Sequence, residues 1–391
     1  MSLQISQTAS QSKPYLSFSR AHNSIDALDG LRTIAIVLVL FRHAIRAVED
    51  RIDSVFDFNG WSLATPMLNG WMGVDLFFVL SGFLIGGHLI RRRGHFSSKT
   101  LGSYFGSRAL RIIPTYFCVL FLVAAGFFPF LKVASEDLSI SLIWHMLFLQ
   151  DYLSSDIIVA FWSLGVEEKF YIIAPFLVLG IGRLKSIKLR ISALVVIGLI
   201  PMILRGIHLA YIDFDYSYLA YFETFRSPFH MTFEGLLMGV LCAEIYENLT
   251  LRTRLKEVQT IIFSIGTAII VVHLLPFNLL AAITVYDVVF QPLILSIGFG
   301  MILLATALRN SKTGWLTSYF SLIGARLSYS LYLVHMAVIP AATVLTIFFE
   351  VKGLAFFATF CIIYLAMSVI MSLIIHFLIE KPFLQLKSRV Y

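Results

Sequence analysis

Apolar residues occur along this chain in long runs that are separated by short polar segments. We count ten runs, at about 33–48, 71–90, 112–131, 161–182, 191–208, 228–246, 258–275, 288–308, 321–348 and 354–379. An α-helix needs about 20 apolar residues to cross a bilayer, and most of the runs approach or exceed this length. Because backbone polar groups in lipid must be satisfied within the segment, the pattern predicts an all-α membrane protein, a bundle of about ten transmembrane helices.

A further apolar segment, 138–150, is too short to cross a bilayer. Counting it as a span would also place the basic loop 183–190 on the outer side of the membrane. We therefore predict a short re-entrant or interfacial helix at 138–150, on the outer side.

Lysine and arginine are distributed asymmetrically between the segments that join the ten runs. Of the 30 basic residues, the N-terminal tail and the inner loops hold 21, the runs themselves hold five, and the outer loops hold four: Arg51, Lys132, Arg226 and Lys352. The positive-inside rule then predicts that both termini are cytoplasmic, and we expect a multi-pass inner-membrane protein in contact with membrane lipids. The same rule explains the net charge of +7 without a nucleic-acid partner.

The polar segments favour one membrane domain. Residues 1–27 are polar and rich in Ser and Gln, as in a flexible tail, and no cleavable signal peptide is expected. We expect the membrane domain at 28–385 and a cytoplasmic end at 386–391, without a second soluble domain. The three cysteines lie inside apolar runs and are expected to be free, and the histidines lack the spacing of metal ligands, so no metal site is expected.

Arg32 and His43 carry the first candidate site. They are eleven residues apart, so on one helix they differ by about 20° in direction and about 16 Å in height. Arg32 would lie at the cytoplasmic rim, where arginine suits phosphate. His43 would lie near the middle of the membrane or just beyond, where histidine suits proton transfer. A packed, hydrogen-bonded histidine is the alternative interpretation of His43.

The segment Trp162 to Tyr171 is the second candidate, because carboxylates are costly at the start of an apolar run. Ser163, Glu167 and Tyr171 recur every four residues and share a helix face. Glu168 points elsewhere and is expected to pair with Lys169 or with another helix, whereas Lys169 itself is expected to be solvated.

Two further pairs of polar residues belong to other runs. Arg108 and Arg111 are three residues apart and suit a phosphate-rich ligand, while the preceding Arg91 to Arg93 are explained by topology or lipid headgroups. Asp75 and His335 lie inside apolar runs, where Asp75 could orient a histidine or pair with an arginine; a buried polar contact between helices is equally consistent for each. The glycines Gly70, Gly73, Gly82, Gly86 and Gly87 predict close helix packing.

The motifs that contain these residues, taken in order, resemble those of acyltransferase family 3. The motifs are LDGLRTIAIVLVLFRHA, GVDLFFVLSGFLI, SRALRIIPTY, WSLGVEEKFYIIAP, LSYSLYLVH and the terminal EKPF, and the resemblance covers about 26–385. Lys169 departs from the family, which often has Gln there. The family consists of polytopic membrane O-acyltransferases that modify surface polysaccharides and related glycans, and some members carry a C-terminal SGNH-type domain, which we do not expect here.

The resemblance implies a function and a site. We expect transfer of an acyl group, acetyl in the first instance, from cytoplasmic acyl-CoA to a hydroxyl of a cell-surface or lipid-linked saccharide. The donor phosphates would be held by Arg32, Arg108 and Arg111. His43 would be the general base, or would carry the acyl group covalently, with Glu167 or Asp75 to orient it. The acceptor would be contacted by Trp162, Ser163, Glu168, Tyr171 and His335.

Two alternatives remain open at the level of sequence. Charged groups at membrane depth also suit a proton-coupled transporter or flippase of a glycolipid or small solute. If the chain is an enzyme, it either completes the transfer itself or hands the acyl group to a separate periplasmic transferase.

Overall fold

The computed structural model describes residues 18, 25–52, 57–58, 61–62, 64–153, 156–275, 283–309 and 314–390. Most of the predicted tail at 1–27 therefore lies outside the described residues, although the first helix already begins at Ala27.

The described residues form an almost wholly helical chain. The α-helices are α1 (Ala27–Val48), α2 (Thr65–Leu68), α3 (Gly73–Arg91), α4 (Ser98–Ala124), α5 (Leu138–Met146), α6 (Trp162–Gly182), α7 (Ile187–Gly198), α8 (Ile200–Tyr211), α9 (Tyr218–Tyr221), α10 (Phe229–Thr232), α11 (Glu234–Glu247), α12 (Leu249–Glu257), α13 (Gln259–Leu274), α14 (Val285–Val289), α15 (Gln291–Arg309), α16 (Tyr319–Val334), α17 (Ile339–Ile347), α18 (Gly353–Ile375) and α19 (Lys381–Val390). This confirms the predicted all-α class.

Shorter elements join these helices. Two-residue strands β1 (Asp57–Phe58) and β2 (Trp61–Ser62) form an antiparallel pair. Short 3₁₀ turns cover Glu49–Arg51, Asn69–Met72, Arg93–His95, Val159–Phe161 and Trp315–Thr317, and π-helical turns cover Phe222–Arg226 and His376–Glu380.

Five helical segments of the described chain are long and apolar enough to cross a membrane. They are Thr65–Arg91, Ser98–Ala124, Ile187–Tyr211, Gln291–Arg309 and Gly353–Lys387. The number becomes seven if the bent pairs α12 with α13 and α16 with α17 each count as one span. These segments support a multi-pass membrane protein, whereas the count of ten spans and the cytoplasmic termini stay predictions.

The helices that carry most of the candidate chemistry are long but charged. Helix α1 has 22 residues and α6 has 21. At about 1.5 Å per residue, each is about as long as the hydrocarbon core of a bilayer is thick. Their charged side chains, such as Arg32 and Glu167, lower the hydropathy of both helices. The predicted runs 33–48 and 161–182 thus correspond to real helices.

The predicted span 321–348 is not one straight helix. The chain bends by 83° between α16 and α17, and His335 is the first residue after α16. Pro340 lies in the first turn of α17. Since proline has no backbone N–H to donate to the preceding turn, an apolar run that contains it need not be one straight helix.

The segment 138–150 agrees with the prediction of a helix that does not cross the membrane. Helix α5 has nine residues, and the carboxylate of Asp137 caps its start by accepting hydrogen bonds from the backbone N–H groups of Ser139 and Ile140, at 2.9 and 3.2 Å. Nine residues extend only about 14 Å, half of what a span requires.

Helices α3 and α11 pack closely at the centre of the bundle because glycines face backbone there. A Cβ atom on Gly82 would overlap the backbone of Leu236, and one on Gly239 would overlap the backbone of Val79 and Phe83. The prediction that Gly82 permits close helix packing is confirmed. Helix α1 packs against α3 and against α16, which brings the candidate residues of these helices together.

Candidate active site

Helix α1 carries both Arg32 and His43, as the spacing predicts. Its position against α16 is fixed one residue after Arg32, where the hydroxyl of Thr33 donates to the carbonyl of Ser321 at 2.9 Å. Gly324 provides the space, since a Cβ there would lie 2.5 Å from that hydroxyl. The register of α1 on α16 therefore decides what His43 contacts.

His43 lies against His335. The centroids of the two imidazole rings are 5.0 Å apart, with the ring planes inclined by 53°. His335 is fully buried, and its Nδ1 lies 2.8 Å from the carbonyl oxygen of Tyr332. The sequence predicted His335 as a contact for the acceptor; the structure adds that it is a neighbour of the candidate base.

Tyr332 links this pair of histidines to α6. The phenol oxygen of Tyr332 lies 2.6 Å from the hydroxyl of Ser163 and donates to the carbonyl of Ala160 at 2.7 Å. Ser163 was predicted as a substrate contact. It lies close to the histidine pair, because Tyr332 contacts both Ser163 and His335. The end of α16 and the start of α6 therefore form one wall of the site.

Glu167 binds two hydroxyl groups. Ser81 of α3 donates to Oε1 at 3.0 Å, and Tyr171 donates to Oε2 at 2.5 Å. The shared face of Glu167 and Tyr171 is confirmed. Glu167 also lies within the electrostatic influence of Arg111 and Arg32, so it occupies the region between the histidine pair and the basic residues.

Arg32, Arg108 and Arg111, which we call the basic cluster, come together from α1 and α4. Of the charged groups near Arg32, Arg111 exerts the strongest electrostatic influence, and Arg108 also repels the charge of Arg32. Arg108 lies over the rings of Tyr104 and Tyr171, 5.9 Å from each centroid. Its buried Nε has no hydrogen-bond partner among the described residues. The cluster is therefore suited to an anion.

Two more cationic residues, Arg326 and Lys387, border the basic cluster. Their positions in the sequence did not connect them with this cluster. Arg326 of α16 lies close enough to Arg32 for their positive charges to repel each other. Lys387 of α19 lies close enough to Arg111 and Arg108 for the same repulsion. Glu168 lies near Arg108, which agrees with the expectation that it faces another helix. Only tertiary packing reveals these neighbours, because the residues are far apart in the chain.

Asp75 is engaged by an arginine, which is one of the two roles predicted for it. Arg226 donates to both carboxylate oxygens, at 2.8 and 2.9 Å, and both side chains are buried. The guanidinium lies over the rings of Trp71 and Trp162, at 5.0 and 5.3 Å from the centroids. The segment that carries Arg226 was predicted as an outer loop, and the structure adds that the Arg226 side chain is buried in the bundle.

Lys169 is not solvated, and that expectation is wrong. Its ammonium donates to Asp151 at 2.5 Å and to the carbonyl of Phe148 at 2.6 Å, and only 21% of its side chain is exposed. The Asp151 side chain is fully buried, and this burial raises the pKa of Asp151 while the ammonium opposes the shift. The hydrogen bonds of Lys169 therefore connect α6 to the turn that follows α5.

Two of the arginines that were explained by topology alone form ion pairs. Arg93 binds the buried Glu244 with NH1 and NH2, at 3.2 and 2.6 Å from the two carboxylate oxygens, and Arg91 pairs with Glu247. Arg190 also donates to Glu244, at 2.6 Å. These pairs connect loops at one end of the bundle to α11, so the arginines have structural partners.

Two further buried carboxylates, like Asp151 and Glu244, were not singled out from the sequence. Glu234 accepts from the buried Arg205 at 2.7 Å. Glu380, in the EKPF motif, accepts from Ser330 at 2.6 Å and lies 2.9 Å from Nδ1 of His376. Acidic residues within or beside apolar runs were the available signal, since such groups are costly without partners.

Known acyltransferases are similar to this chain over most of its length. A family model described as an acyltransferase domain matches residues 25–377. A Staphylococcus aureus (strain COL) protein named "Putative O-acetyltransferase" is 28% identical over 81% of this chain and 50% of its own length. The peptidoglycan O-acetyltransferase OatA of Listeria monocytogenes is 26% identical over 82% of this chain and 50% of its own length. This chain thus spans about half the length of these relatives. No solved structure matches it.

Proposed function

This chain belongs to acyltransferase family 3, and from that premise we propose that it is a membrane O-acetyltransferase whose donor is acetyl-CoA and whose acceptor is a saccharide hydroxyl. The observation that carries the proposal is the placement of Arg32 and His43 along one helix, with the basic cluster around the first and His335 beside the second. The relatives named as O-acetyltransferases, one of them for peptidoglycan, support the reaction class.

The donor would bind from the end of the bundle that holds the basic cluster. Arg32, Arg108 and Arg111 supply permanent positive charge, and the orphaned Nε of Arg108 is a donor that a phosphate oxygen would satisfy. With this end in the cytoplasm, both termini cytoplasmic and ten spans, the protein would be an inner-membrane enzyme. The pantetheine arm would then extend along α1 over the roughly 16 Å that separate Arg32 from His43.

His43 would act as the general base. It takes the proton of the acceptor hydroxyl as the hydroxyl oxygen attacks the thioester carbonyl carbon, and the carbon–sulfur bond then breaks. The proton passes from the imidazolium to the departing thiolate, so free CoA and the acetyl ester are the products. Trp162 and Ser163 would line the acceptor side, with Glu167 between the two substrates. Glu168 and Tyr171, which were expected to contact the acceptor, lie beside Arg108 and would border the donor instead.

Proton NMR of surface glycans and glycolipids, before and after mild alkali, tests the proposal. Host strains would carry the wild-type chain, the His43→Gln chain or no chain, at matched levels in the membrane. We expect an alkali-labile O-acetyl signal in the wild type that disappears in the other two strains. A signal that persists in all three would overturn the proposal.

A second measurement separates the enzyme from a transporter. Membrane vesicles would receive acetyl-CoA labelled in the acetyl group, with free CoA and labelled glycan both measured. An acetyltransferase releases CoA and labels the glycan in equal amounts. Movement of a glycolipid or solute without consumption of acetyl-CoA would favour a proton-coupled carrier instead.

A further inference from the structure

His335 lies at the C-terminal end of α16, beside the candidate base. It follows directly on the last residue of α16, where the chain begins its 83° bend into α17. Its side chain is fully buried, and its ring faces that of His43 at a centroid separation of 5.0 Å.

The hydrogen bond at Nδ1 determines the tautomer of His335. Nδ1 lies 2.8 Å from the backbone carbonyl oxygen of Tyr332, and a carbonyl oxygen can only accept. Nδ1 must therefore carry the proton, and in a neutral imidazole Nε2 is then the acceptor. Nε2 of His335 is buried and has no hydrogen-bond partner among the described residues. A buried acceptor without a partner is destabilising, so a hydrogen-bond donor at this position would be favoured.

The carboxylates that the sequence offered as orienting groups for His43 are engaged elsewhere. Glu167 accepts from Ser81 and Tyr171, and Asp75 accepts from Arg226 at both oxygens. The ring of His335 is in direct contact with His43, and the anchor of His335 is firm because Tyr332 is itself bound to Ala160.

No hydrogen bond joins these two described residues in the structure, although their ring centroids lie only 5.0 Å apart. We propose that His335 is the positioning residue of His43: when the ring of His43 turns toward it, Nε2 of His335 accepts a hydrogen bond from one ring N–H of His43 and leaves the other ring nitrogen of His43 as the base. The proposal rests on the proposed function, and it assigns His335 a role that differs from contact with the acceptor. When His43 takes up the proton of the acceptor hydroxyl, the bond to His335 becomes charge-assisted and stronger, which stabilises the imidazolium.

Two substitutions at His335 separate the functions of its two nitrogens. His335→Asn places an amide near Nδ1, so it can still donate to the carbonyl of Tyr332 but leaves nothing at Nε2. His335→Gln places an amide oxygen near Nε2 that can accept from His43. CoA release from acetyl-CoA by purified protein in lipid nanodiscs, with extracted host glycan as acceptor, gives kcat and KM for each variant.

The expected result is a loss of kcat of about 10- to 100-fold in His335→Asn, the size typical of residues that orient a functional side chain, with KM for acetyl-CoA unchanged. His335→Gln should recover most of that loss. If the His335→Asn variant had the same kcat as the wild type, the proposal would be overturned. The hydrogen bond to the carbonyl of Tyr332 would then be sufficient for the function of His335. Equal, complete losses in both folded variants would also overturn it, because His335 would then be a base itself.

A measurement on the wild-type protein does not depend on either variant folding. With ¹⁵N-labelled histidine, the chemical shifts of His335 should show the neutral tautomer protonated at Nδ1. Protonation at Nε2 would overturn the proposal. The proposed function fails separately, if the wild-type protein releases no CoA at all.

Discussion

Arg226 donates two parallel hydrogen bonds to Asp75 inside the helical bundle, at 2.8 and 2.9 Å. The pair joins the π-helical turn Phe222–Arg226 to the first turn of α3, and Trp71 and Trp162 cover the guanidinium. π-helical turns often occur where a side chain must be directed at a particular site. Here the turn delivers the cation that neutralises Asp75, and it holds Trp162 at the wall of the candidate site.

Removing one partner of this pair should destabilise the protein strongly. Asp75→Asn leaves a buried guanidinium without its counter-charge, which costs about 3–5 kcal/mol. We expect a lower midpoint of thermal unfolding in detergent. The double variant Asp75→Asn with Arg226→Gln should recover part of the loss, because no uncompensated charge is then buried. An Asp75→Asn protein as stable as the wild type would show that the pair contributes little.

Arg108 should govern the affinity for the donor. Arg108→Gln removes charge-assisted hydrogen bonds to phosphate, worth about 1.5–3 kcal/mol, which corresponds to a rise of roughly 10- to 150-fold in the Kd for acetyl-CoA. Isothermal titration with acetyl-CoA measures the change. Lys99→Gln is the matched control, because Lys99 lies on the same helix but is exposed. Similar affinities for the wild type and Arg108→Gln would remove Arg108 from the donor site.

Lys169 should act on stability through Asp151. Lys169→Met leaves the fully buried carboxylate without its donor, at a cost of about 1–3 kcal/mol. Lys169→Gln should cost less, since its amide can still donate to the turn after α5. Thermal unfolding of the two variants and of the double variant Lys169→Met with Asp151→Asn tests this. If the double variant were no more stable than Lys169→Met, the buried charge would not be the cause.

The contact between α3 and α11 should not accept a larger side chain. Gly82→Val would force the helices apart, because even a Cβ at this position overlaps the backbone of Leu236. We expect little folded protein in membranes, measured by size-exclusion chromatography after detergent extraction. Gly180→Ala is the control: it has open space around it within α6 and should be neutral or slightly stabilising. Normal yields of Gly82→Val would mean that the two helices are able to separate at little cost.

The all-α class and the geometry within single helices followed from the sequence. Long apolar runs predict membrane helices because unpaired backbone groups are too costly in lipid. The eleven-residue interval between Arg32 and His43 predicted one helix carrying both, and α1 does so. The four-residue interval between Glu167 and Tyr171 predicted a shared helix face, on which Tyr171 donates to Glu167. These are relations within single helices, where a fixed geometry of 3.6 residues per turn connects position in sequence with position in space.

The partners between helices were decided by tertiary structure alone. The contact of His43 with His335 joins residues from opposite ends of the chain, and Lys169 finds Asp151 rather than water. The bend after α16 arises inside an apolar run, so hydropathy gave no sign of it. Hydrophobic pattern determines that a helix is buried in lipid or protein, but which side chain meets which depends on how the helices pack. That packing is set by close contacts such as those of Gly82 and Gly239, whose effect reaches residues far away in the chain.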